Sequence, residues 1–346
     1  MLFLDTSVQL TAPLKRKRKL SLIILSIIAF LLAVLLIFTL LSPIPASFMI
    51  RAAFTRKIAV PPDNYNELKR RVNVIKNQLY PSGYKDNTVD IYIPNDKEGP
   101  LPVVLWIHGG AFVGGNKEDV EIYATALAAE GLAVVCMNYR RAPEAKYPAP
   151  VIQTKDAYLW IKDVSNKYSF DINKFILAGD SAGAHIAAQF AAIQSNAAYA
   201  DEMNFEQTVP LHTLKSVLLF CGPFDVAKIN TGSNPIMNFF IGKAAQAYLG
   251  SKDWVKRFSY QTTISNHVTS DFPPTFITDG NNLSFEDHGR DLADALKKQD
   301  VSVETFFIPV SSEKAAHEYQ FIMNTSSAKE SFKQVTAFIK KHTEQK

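Results

Sequence analysis

The alternation of two kinds of segment from Pro102 onward most constrains the fold of this chain. Short apolar runs rich in β-branched residues alternate with longer segments of helical periodicity. The runs are PVVLWI, LAVVCMN, KFILAG, KSVLLF, PTFIT and VETFFI. Continuous apolar runs indicate strands buried on both faces, and the helical segments supply the crossovers that parallel strands need. The sequence therefore predicts an α/β fold whose mostly parallel sheet carries helices on both faces.

Two other segments extend or interrupt this alternation. Residues 71–94 contain two alternating apolar and polar stretches around Pro81-Ser82-Gly83, which predicts an antiparallel hairpin. Residues 223–272 contain no strand pattern and directly follow a predicted strand. Parallel sheets bind their ligands at the carboxyl ends of their strands, so this segment begins where a ligand site is expected. Two interpretations fit this segment equally well: it is a cap insertion over a ligand site, or it is two additional helices that only pack against the domain.

The most apolar part of the chain is residues 20–41, which carry no charged side chain. At a rise of ~1.5 Å per residue they form a helix of roughly 33 Å, enough to cross the hydrocarbon core of a bilayer. A signal peptide has a shorter apolar region, of about 7 to 15 residues. We therefore expect an uncleaved transmembrane anchor, and cleavage near Arg51-Ala52-Ala53 is the alternative.

The basic residues around this apolar segment predict its orientation. Five basic residues, 15–19, stand directly before it, against three basic residues within 51–57. This asymmetry favours an amino terminus in the cytoplasm and an extracytoplasmic main domain. Residues 1–19 have a net charge of +4, which equals that of the whole chain, so the remainder sums to zero. We therefore expect no nucleic-acid partner.

The sequence thus divides into four parts. These are a cytoplasmic basic tail (1–19), a transmembrane anchor (20–41), a linker (42–62) and an α/β domain (63–346) that includes the possible cap insertion. Both cysteines, Cys136 and Cys221, lie in predicted buried strands. We expect them to be core residues, since two such positions do not form a disulfide framework or a metal site.

A candidate nucleophile directly follows the apolar run KFILA. Gly179-Asp180-Ser181-Ala182-Gly183 stands between this run and the helical pattern AHIAAQFAAIQ. A Gly-x-Ser-x-Gly match alone is weak, but between a strand and a helix it indicates a tight turn that exposes the serine hydroxyl above the sheet. We expect Ser181 to be a nucleophile rather than part of a flexible glycine loop.

A serine nucleophile needs a base that takes its proton. His317 follows the last predicted strand, in SSEKAAHEYQF, and the loop after this strand should lie near the serine turn. The other histidines lie in the glycine loop, in predicted helices, in the interrupting segments or in the charged tail: His108, His185, His212, His267, His288 and His342. We therefore expect His317 to be the base.

Attack on a carbonyl also needs donors for the oxygen that becomes negative. His108-Gly109-Gly110-Ala111-Phe112 follows the run PVVLWI, and glycines there let backbone N–H groups approach a substrate. We expect the N–H groups of Gly109, Gly110 and Ala182 to form the oxyanion hole. A phosphate-binding loop is unsupported, because the segment lacks the lysine and Ser/Thr of such loops.

The motifs LWIHGGAFVGG, NYRRAPEAKYPAP, AGDSAGAHIA and HEYQF, in this order, resemble the α/β-hydrolase superfamily. The chain is most similar to the esterases of the hormone-sensitive-lipase type, over roughly residues 70–342. The resemblance implies an eight-stranded core, Ser181 as nucleophile, His317 as base and the His-Gly-Gly loop as oxyanion hole. It also implies hydrolysis of carboxylic esters through an acyl-enzyme, without a metal or organic cofactor.

At one position the sequence departs from the pattern of this family. The resemblance implies a carboxylate three residues after the glycine that ends the preceding strand, but Leu283 stands there. Asp279, Glu286 and Asp287 are the carboxylates nearby. We expect Glu286 to orient His317, because its side chain has the longest reach, although a helix-start role explains it nearly as well.

The expected function is therefore a membrane-anchored serine hydrolase that cleaves small carboxylic esters. The unusual acid position leaves a second hypothesis open, a tethered binding protein that keeps the fold without the chemistry. A peptidase or an acyl transferase would use the same three side chains, and the sequence does not separate these from an esterase.

Overall fold

An eight-stranded sheet organises the protein, of which the computed structural model describes residues 12–53, 59–96, 99–230 and 234–344. The strands are β1 Val72–Leu79, β2 Thr88–Pro94, β3 Leu101–Ile107, β4 Ala133–Met137, β5 Phe170–Asp180, β6 Leu214–Phe220, β7 Thr275–Asp279 and β8 Val303–Phe307. Their order in the sheet is β1-β2-β4-β3-β5-β6-β7-β8. The β1-β2 and β2-β4 pairs are antiparallel and all other pairs are parallel. This confirms the predicted mostly parallel sheet and its antiparallel hairpin.

The described residues form twelve α-helices, which alternate with the strands after β3. They are α1 Ala12–Leu41, α2 Ile44–Ala53, α3 Tyr65–Arg70, α4 Glu121–Ala129, α5 Ala149–Asp163, α6 Ser165–Tyr168, α7 Ala182–Ser195, α8 Ala197–Glu202, α9 Pro235–Leu249, α10 Trp254–Thr262, α11 Glu286–Lys297 and α12 Ser326–Thr343. Short 3-10 helices occupy Lys117–Val120, Val226–Lys228, Ile264–Asn266 and Tyr319–Phe321.

Two apolar cores cover the two faces of the sheet. Val103, Leu105 and Ile107 of β3 belong to one core, with α5, α7 and α11, whereas Val104 and Trp106 belong to the other, with α4 and α12. This division follows from the alternation of side chains along a strand. All five side chains are fully buried. The sheet is therefore a rigid base for the loops at the carboxyl ends of its parallel strands.

The interrupting segment 223–272 folds mainly into α9 and α10. The Asn234 side chain caps α9 by accepting two N–H groups of its first turn, each at 3.1 Å. Pro235 is the first helical residue, and Gly250 follows the last with a φ of 70°. An Asn cap, a proline at the start and a left-handed glycine at the end explain why this helix forms here. Helix α9 packs against α2.

The amino-terminal helix is the most apolar element. Its residues Lys17–Leu41 are long and apolar enough to cross a membrane, by length and composition, and their most apolar part is not buried against the protein. A membrane anchor and a signal sequence both fit these properties. Residues 1–11 of the predicted basic tail and residues 54–58 of the predicted linker lie outside the described residues.

The predicted linker contains a docked helix, α2. The Arg51 side chain of α2 donates to the carbonyls of Val113 at 2.8 Å and Ala142 at 2.9 Å. It also pairs with Glu144 at 2.8 Å, and its hydrogen bond lowers the pKa of the Glu144 carboxyl to about 2. These contacts fix α2 to the loops after β3 and β4, and Val113 lies close to the glycines of the first loop.

Candidate active site

Ser181 lies in a strained turn between β5 and α7. Its φ of 49° and ψ of −119° are unusual for a residue other than glycine. A Cβ at Gly179 would collide with the backbone of Gly183, and a Cβ at Gly183 would collide with the carbonyl of Ile107. Both glycines are therefore required for the turn, which holds the serine at the amino end of α7.

Ser181 and His317 contact each other, although 136 positions separate them in the chain. The Nε2 atom of His317 lies 2.9 Å from the Oγ atom of Ser181. The ring of Phe285 packs edge-on against the imidazole, with 5.4 Å between the ring centroids. The structure thus brings together the two side chains that the sequence analysis selected as nucleophile and base.

A second serine, Ser284, lies on the other side of the imidazole. Its Oγ atom is 2.7 Å from Nδ1 of His317 and donates to a carboxylate oxygen of Asp279, at the end of β7. A hydroxyl has only one proton, so when Asp279 is ionised and Ser284 donates to it, Ser284 accepts from Nδ1–H of His317. This leaves Nε2 of His317 unprotonated and facing Ser181, as a base requires.

Glu286 does not occupy the expected place, and this corrects the sequence-based choice. Its carboxylate accepts hydrogen bonds from Arg290, one turn later in α11, at 2.8 and 2.6 Å. The chain of hydrogen bonds from His317 ends instead at Asp279, through Ser284. Sequence reasoning missed Ser284. Its signal was its place next to Leu283, at the vacant acid position.

The expected oxyanion hole also needs a correction. The N–H of Gly109 donates to Oδ2 of Asp180 at 2.7 Å, so it is not free to bind a substrate oxygen. The N–H groups of Gly110 and Ala111 have no acceptor within the part of the chain that the structure describes. Ala111 and Ala182 line the cavity in front of Ser181. The available donors are thus Gly110, Ala182 and Ala111, which the sequence analysis did not select.

The buried Asp180 carboxyl holds the glycine loop, and the half-buried Glu318 lies beside it. Asp180 accepts from Trp106 Nε1 and from the Gly109 N–H, both at 2.7 Å. Burial raises the pKa of Asp180 to about 6, and burial together with Asp180 raises the pKa of Glu318 well above its usual value. A Cβ at Gly109 would collide with the Asp180 carboxylate, so only glycine fits there.

Burial shifts the two titrating groups of the site in opposite directions. It lowers the pKa of His317 to about 4, which keeps the imidazole neutral at neutral pH. It raises the pKa of Asp279 to about 7, although the hydrogen bond from Ser284 acts in the other direction. The protonation state of Asp279 therefore changes near neutral pH.

A cavity of about 790 Å³ lies in front of Ser181 and His317. Ile50 of α2 and Met237 and Ile241 of α9 are among its apolar wall residues. This volume is in the range of cavities that bind small organic molecules. The interrupting segment therefore forms part of a binding cavity, which favours the cap interpretation over packing alone.

One group of side chains has the composition of a metal site. Ligand atoms of Cys221, Asp279 and His317 lie within 4.8 Å of one another. Burial raises the pKa of the Cys221 thiol well above its usual value. Asp279 and His317 already belong to the hydrogen-bond chain described above.

The family assignment rests on a match over residues 89–285, more than half of the chain, to the BD-FAE family model. The chain belongs to the BD-FAE family. This match includes the glycine loop and the Ser181 turn, but it ends before His317.

Curated relatives of this BD-FAE-family chain carry esterase names. The chain is 37% identical over 102 residues to the probable isoprenylcysteine alpha-carbonyl methylesterase ICME of Oryza sativa subsp. japonica, covering 30% of this chain and 25% of that one. It is 26% identical over 210 residues to the probable carboxylic ester hydrolase LipM of Mycobacterium tuberculosis, covering 57% and 45%. The matched part thus spans less than half the length of these relatives.

Solved structures confirm the α/β-hydrolase fold. Esterase B from Lactobacillus rhamnosis has a TM-score of 0.72 at 19% identity, covering 86% of this chain and 95% of that one. A bacterial heroin esterase has a TM-score of 0.64 at 23% identity, covering 85% and 96%. The family match, the curated relatives and these structures together confirm the resemblance of the motifs to esterase-type α/β-hydrolases.

Proposed function

We propose that this BD-FAE-family chain is a serine hydrolase that cleaves carboxylic esters through an acyl-enzyme on Ser181. The observation that carries the proposal is the continuous hydrogen-bond chain from Ser181 through His317 and Ser284 to Asp279, beside the cavity. The esterase names of the relatives support the reaction class. Because the hydrogen-bond chain is complete, it argues against the second hypothesis, a tethered binding protein that keeps the fold without the chemistry.

The proposed reaction begins when the Ser181 hydroxyl attacks the ester carbonyl carbon. Nε2 of His317 takes the hydroxyl proton, and the imidazolium that forms is stabilised through Ser284 by the charge of Asp279. The N–H groups of Gly110, Ala111 and Ala182 donate to the developing oxyanion. When the carbon–oxygen bond of the ester breaks, His317 gives its proton to the leaving alcohol.

The second half of the reaction releases the acid. Water enters in place of the alcohol and attacks the acyl carbonyl, and His317 now takes a proton from the water. The tetrahedral intermediate uses the same three N–H donors. Its collapse breaks the bond to Ser181 Oγ, returns the proton to the serine and frees the carboxylic acid.

The proposal includes an uncleaved membrane anchor, with α1 crossing the bilayer and the catalytic domain on the extracytoplasmic side. The length and composition of Lys17–Leu41 support a membrane span. The docking of α2 supports retention, because cleavage after Arg51 would remove the helix that supplies Ile50 to the cavity wall. The basic residues before α1 support a cytoplasmic amino terminus.

The full chain in detergent is expected to hydrolyse p-nitrophenyl acetate, butyrate and octanoate with a burst of p-nitrophenol equal to the enzyme concentration. The burst follows if an acyl-enzyme forms faster than water releases it. The matching p-nitroanilides distinguish an esterase from a peptidase. Rapid cleavage of anilides with slow cleavage of esters would contradict the proposed reaction class.

The value of kcat/KM for p-nitrophenyl butyrate is expected to rise with pH through about 7 and then level off. Asp279 must be ionised for its charge to stabilise the imidazolium of His317 through Ser284, and its ionised fraction grows as the pH rises through its pKa. In Asp279→Asn this step should disappear, so that only the deprotonation of His317, at about 4, limits the much lower rate. A pH–rate profile of the wild type and of Asp279→Asn measures both effects. Persistence of the step near 7 in the variant would assign it to another group.

A further inference from the structure

Exposed apolar side chains contribute to the mouth of the cavity. Two apolar residues line the cavity and are also substantially exposed, which places them at its mouth: Met237 at 38% and Leu283 at 59%. The exposed polar residues of the lining are Lys228, Asn234, Asp287 and Asp291. Neighbouring α2 and α9 residues add to this exposed surface, and we define the apolar rim as Ile44, Phe48, Met49, Ile236, Met237 and Leu283. Exposed apolar residues grouped around a cavity mark an interaction surface rather than a random distribution.

The apolar rim lies next to the end of the proposed membrane span. Helix α1 ends at Leu41 and α2 begins at Ile44, so only two residues join them. Two extended residues with their flanking bonds cover at most about 10 Å. Since the headgroup layer on each side of the hydrocarbon core is roughly 5 to 8 Å thick, α2 begins at the bilayer surface.

A second contact ties the cavity wall to the same end of α1. The Nζ atom of Lys243, on α9, donates to the carbonyl of Leu40 at 2.8 Å. Thr39 is 8% exposed, whereas Leu40 and Leu41 beside it are more than half exposed. Both helices that form the apolar wall, α2 and α9, are thus connected to the last turn of α1.

We infer that the apolar rim rests on the bilayer surface and that the cavity takes the acyl chain of an ester dissolved in that bilayer. The inference rests on the proposed function and narrows it to a substrate class. An apolar surface of this kind gains free energy when it enters the boundary between headgroups and acyl chains. The chain of a lipid ester can then pass from the bilayer to Ser181 along the apolar residues of the cavity, without crossing water.

The test uses the full chain in palmitoyl-oleoyl phosphatidylcholine vesicles and two esters. One is p-nitrophenyl butyrate, which dissolves in water, and the other is p-nitrophenyl palmitate, carried in the vesicle bilayer. The variant Met49→Asp with Ile236→Asp adds charge to the apolar rim at two residues that do not line the cavity. Leu211→Asp is the matched control, an exposed leucine before β6, at the opposite end of the parallel strands.

The double variant is expected to lose at least about tenfold of its rate on the palmitate ester and to keep its butyrate rate within about twofold. The control should keep both rates. An unchanged ratio of the two rates in a folded double variant would overturn the inference. If near-ultraviolet circular dichroism shows that the double variant is unfolded, Ile236→Gln is measured instead. A ratio of palmitate rate to butyrate rate that is the same in Ile236→Gln as in the wild type would also overturn the inference.

The wild-type rates separate this inference from the proposed function. Hydrolysis of butyrate that depends on Ser181, without hydrolysis of the bilayer-carried ester, would overturn only the substrate class. Absence of Ser181-dependent hydrolysis of either ester would overturn the proposed function itself.

Discussion

Replacement of Ser181 by Ala is expected to lower kcat for p-nitrophenyl butyrate by about 10⁵- to 10⁶-fold, and His317→Ala should lower it by a similar factor. Each change removes the acyl-enzyme route, because the nucleophile and its base act as one unit across the 2.9 Å contact between them. The double variant should therefore be no slower than either single variant. Steady-state rates at saturating ester measure all three.

Two matched controls accompany these variants. Ser195→Ala removes a hydroxyl at the far end of α7, where it bonds only to carbonyls of its own helix. His212→Ala removes an exposed histidine before β6. Both should keep the wild-type rate. A Ser181→Ala variant that retains a tenth of the wild-type kcat would show that the measured hydrolysis does not use this serine.

Asp279→Asn is expected to lower kcat by about 10⁴-fold. An amide in this place donates a proton to Ser284, so the Ser284 hydroxyl turns and donates to Nδ1 of His317 instead. The imidazole proton then moves to Nε2, which faces Ser181 and can no longer accept the serine proton. Ser284→Ala should give an intermediate loss, because the imidazole loses its partner but Asp279 keeps its charge.

Glu286→Gln is the matched control for Asp279→Asn, since both replace a carboxylate with an amide. It should keep nearly the whole rate, because the Glu286 carboxylate bonds to Arg290 on the surface of α11. Steady-state kcat is measured for the three variants under the same conditions. A large loss in Glu286→Gln with a small loss in Asp279→Asn would restore the original sequence-based choice and contradict the assignment through Ser284.

The sequence predicted the features that depend on local patterns. Apolar runs of strand length and the helical segments between them determine the sheet, so the α/β fold could be predicted without a structure. The turn around Ser181 is similarly local, because its two glycines are required by contacts within the strand-turn-helix unit and with β3. His317 was selected by its place after the last strand.

The partner of His317 could not be predicted, because it depends on the path of one loop. Leu283 has a φ of 51° and its side chain is 59% exposed, so the loop directs it outward and turns Ser284 toward the imidazole. Residues other than glycine seldom adopt this conformation, and nothing in the sequence around Leu283 indicates it. Counting positions from the glycine after β7 therefore reached only Leu283, and the reach of the Glu286 side chain did not indicate the path of this loop.

Of the three predicted oxyanion donors, Gly109 was misjudged for a related reason. Consecutive N–H groups in a glycine loop point in different directions, and a side chain far away in sequence decides which of them are occupied. Here Asp180, next to Ser181, takes the N–H of Gly109. The docking of α2 could not be predicted from the sequence either, because the Arg51 contacts join residues more than sixty positions apart.

The most direct test of the central claim is the reaction of the full chain with a fluorophosphonate, followed by mass mapping of the peptides. The account predicts one adduct, on Ser181, that is absent in Ser181→Ala, strongly slowed in His317→Ala and Asp279→Asn, and unchanged in Glu286→Gln. An adduct on another residue, or no adduct in a folded sample, would contradict it.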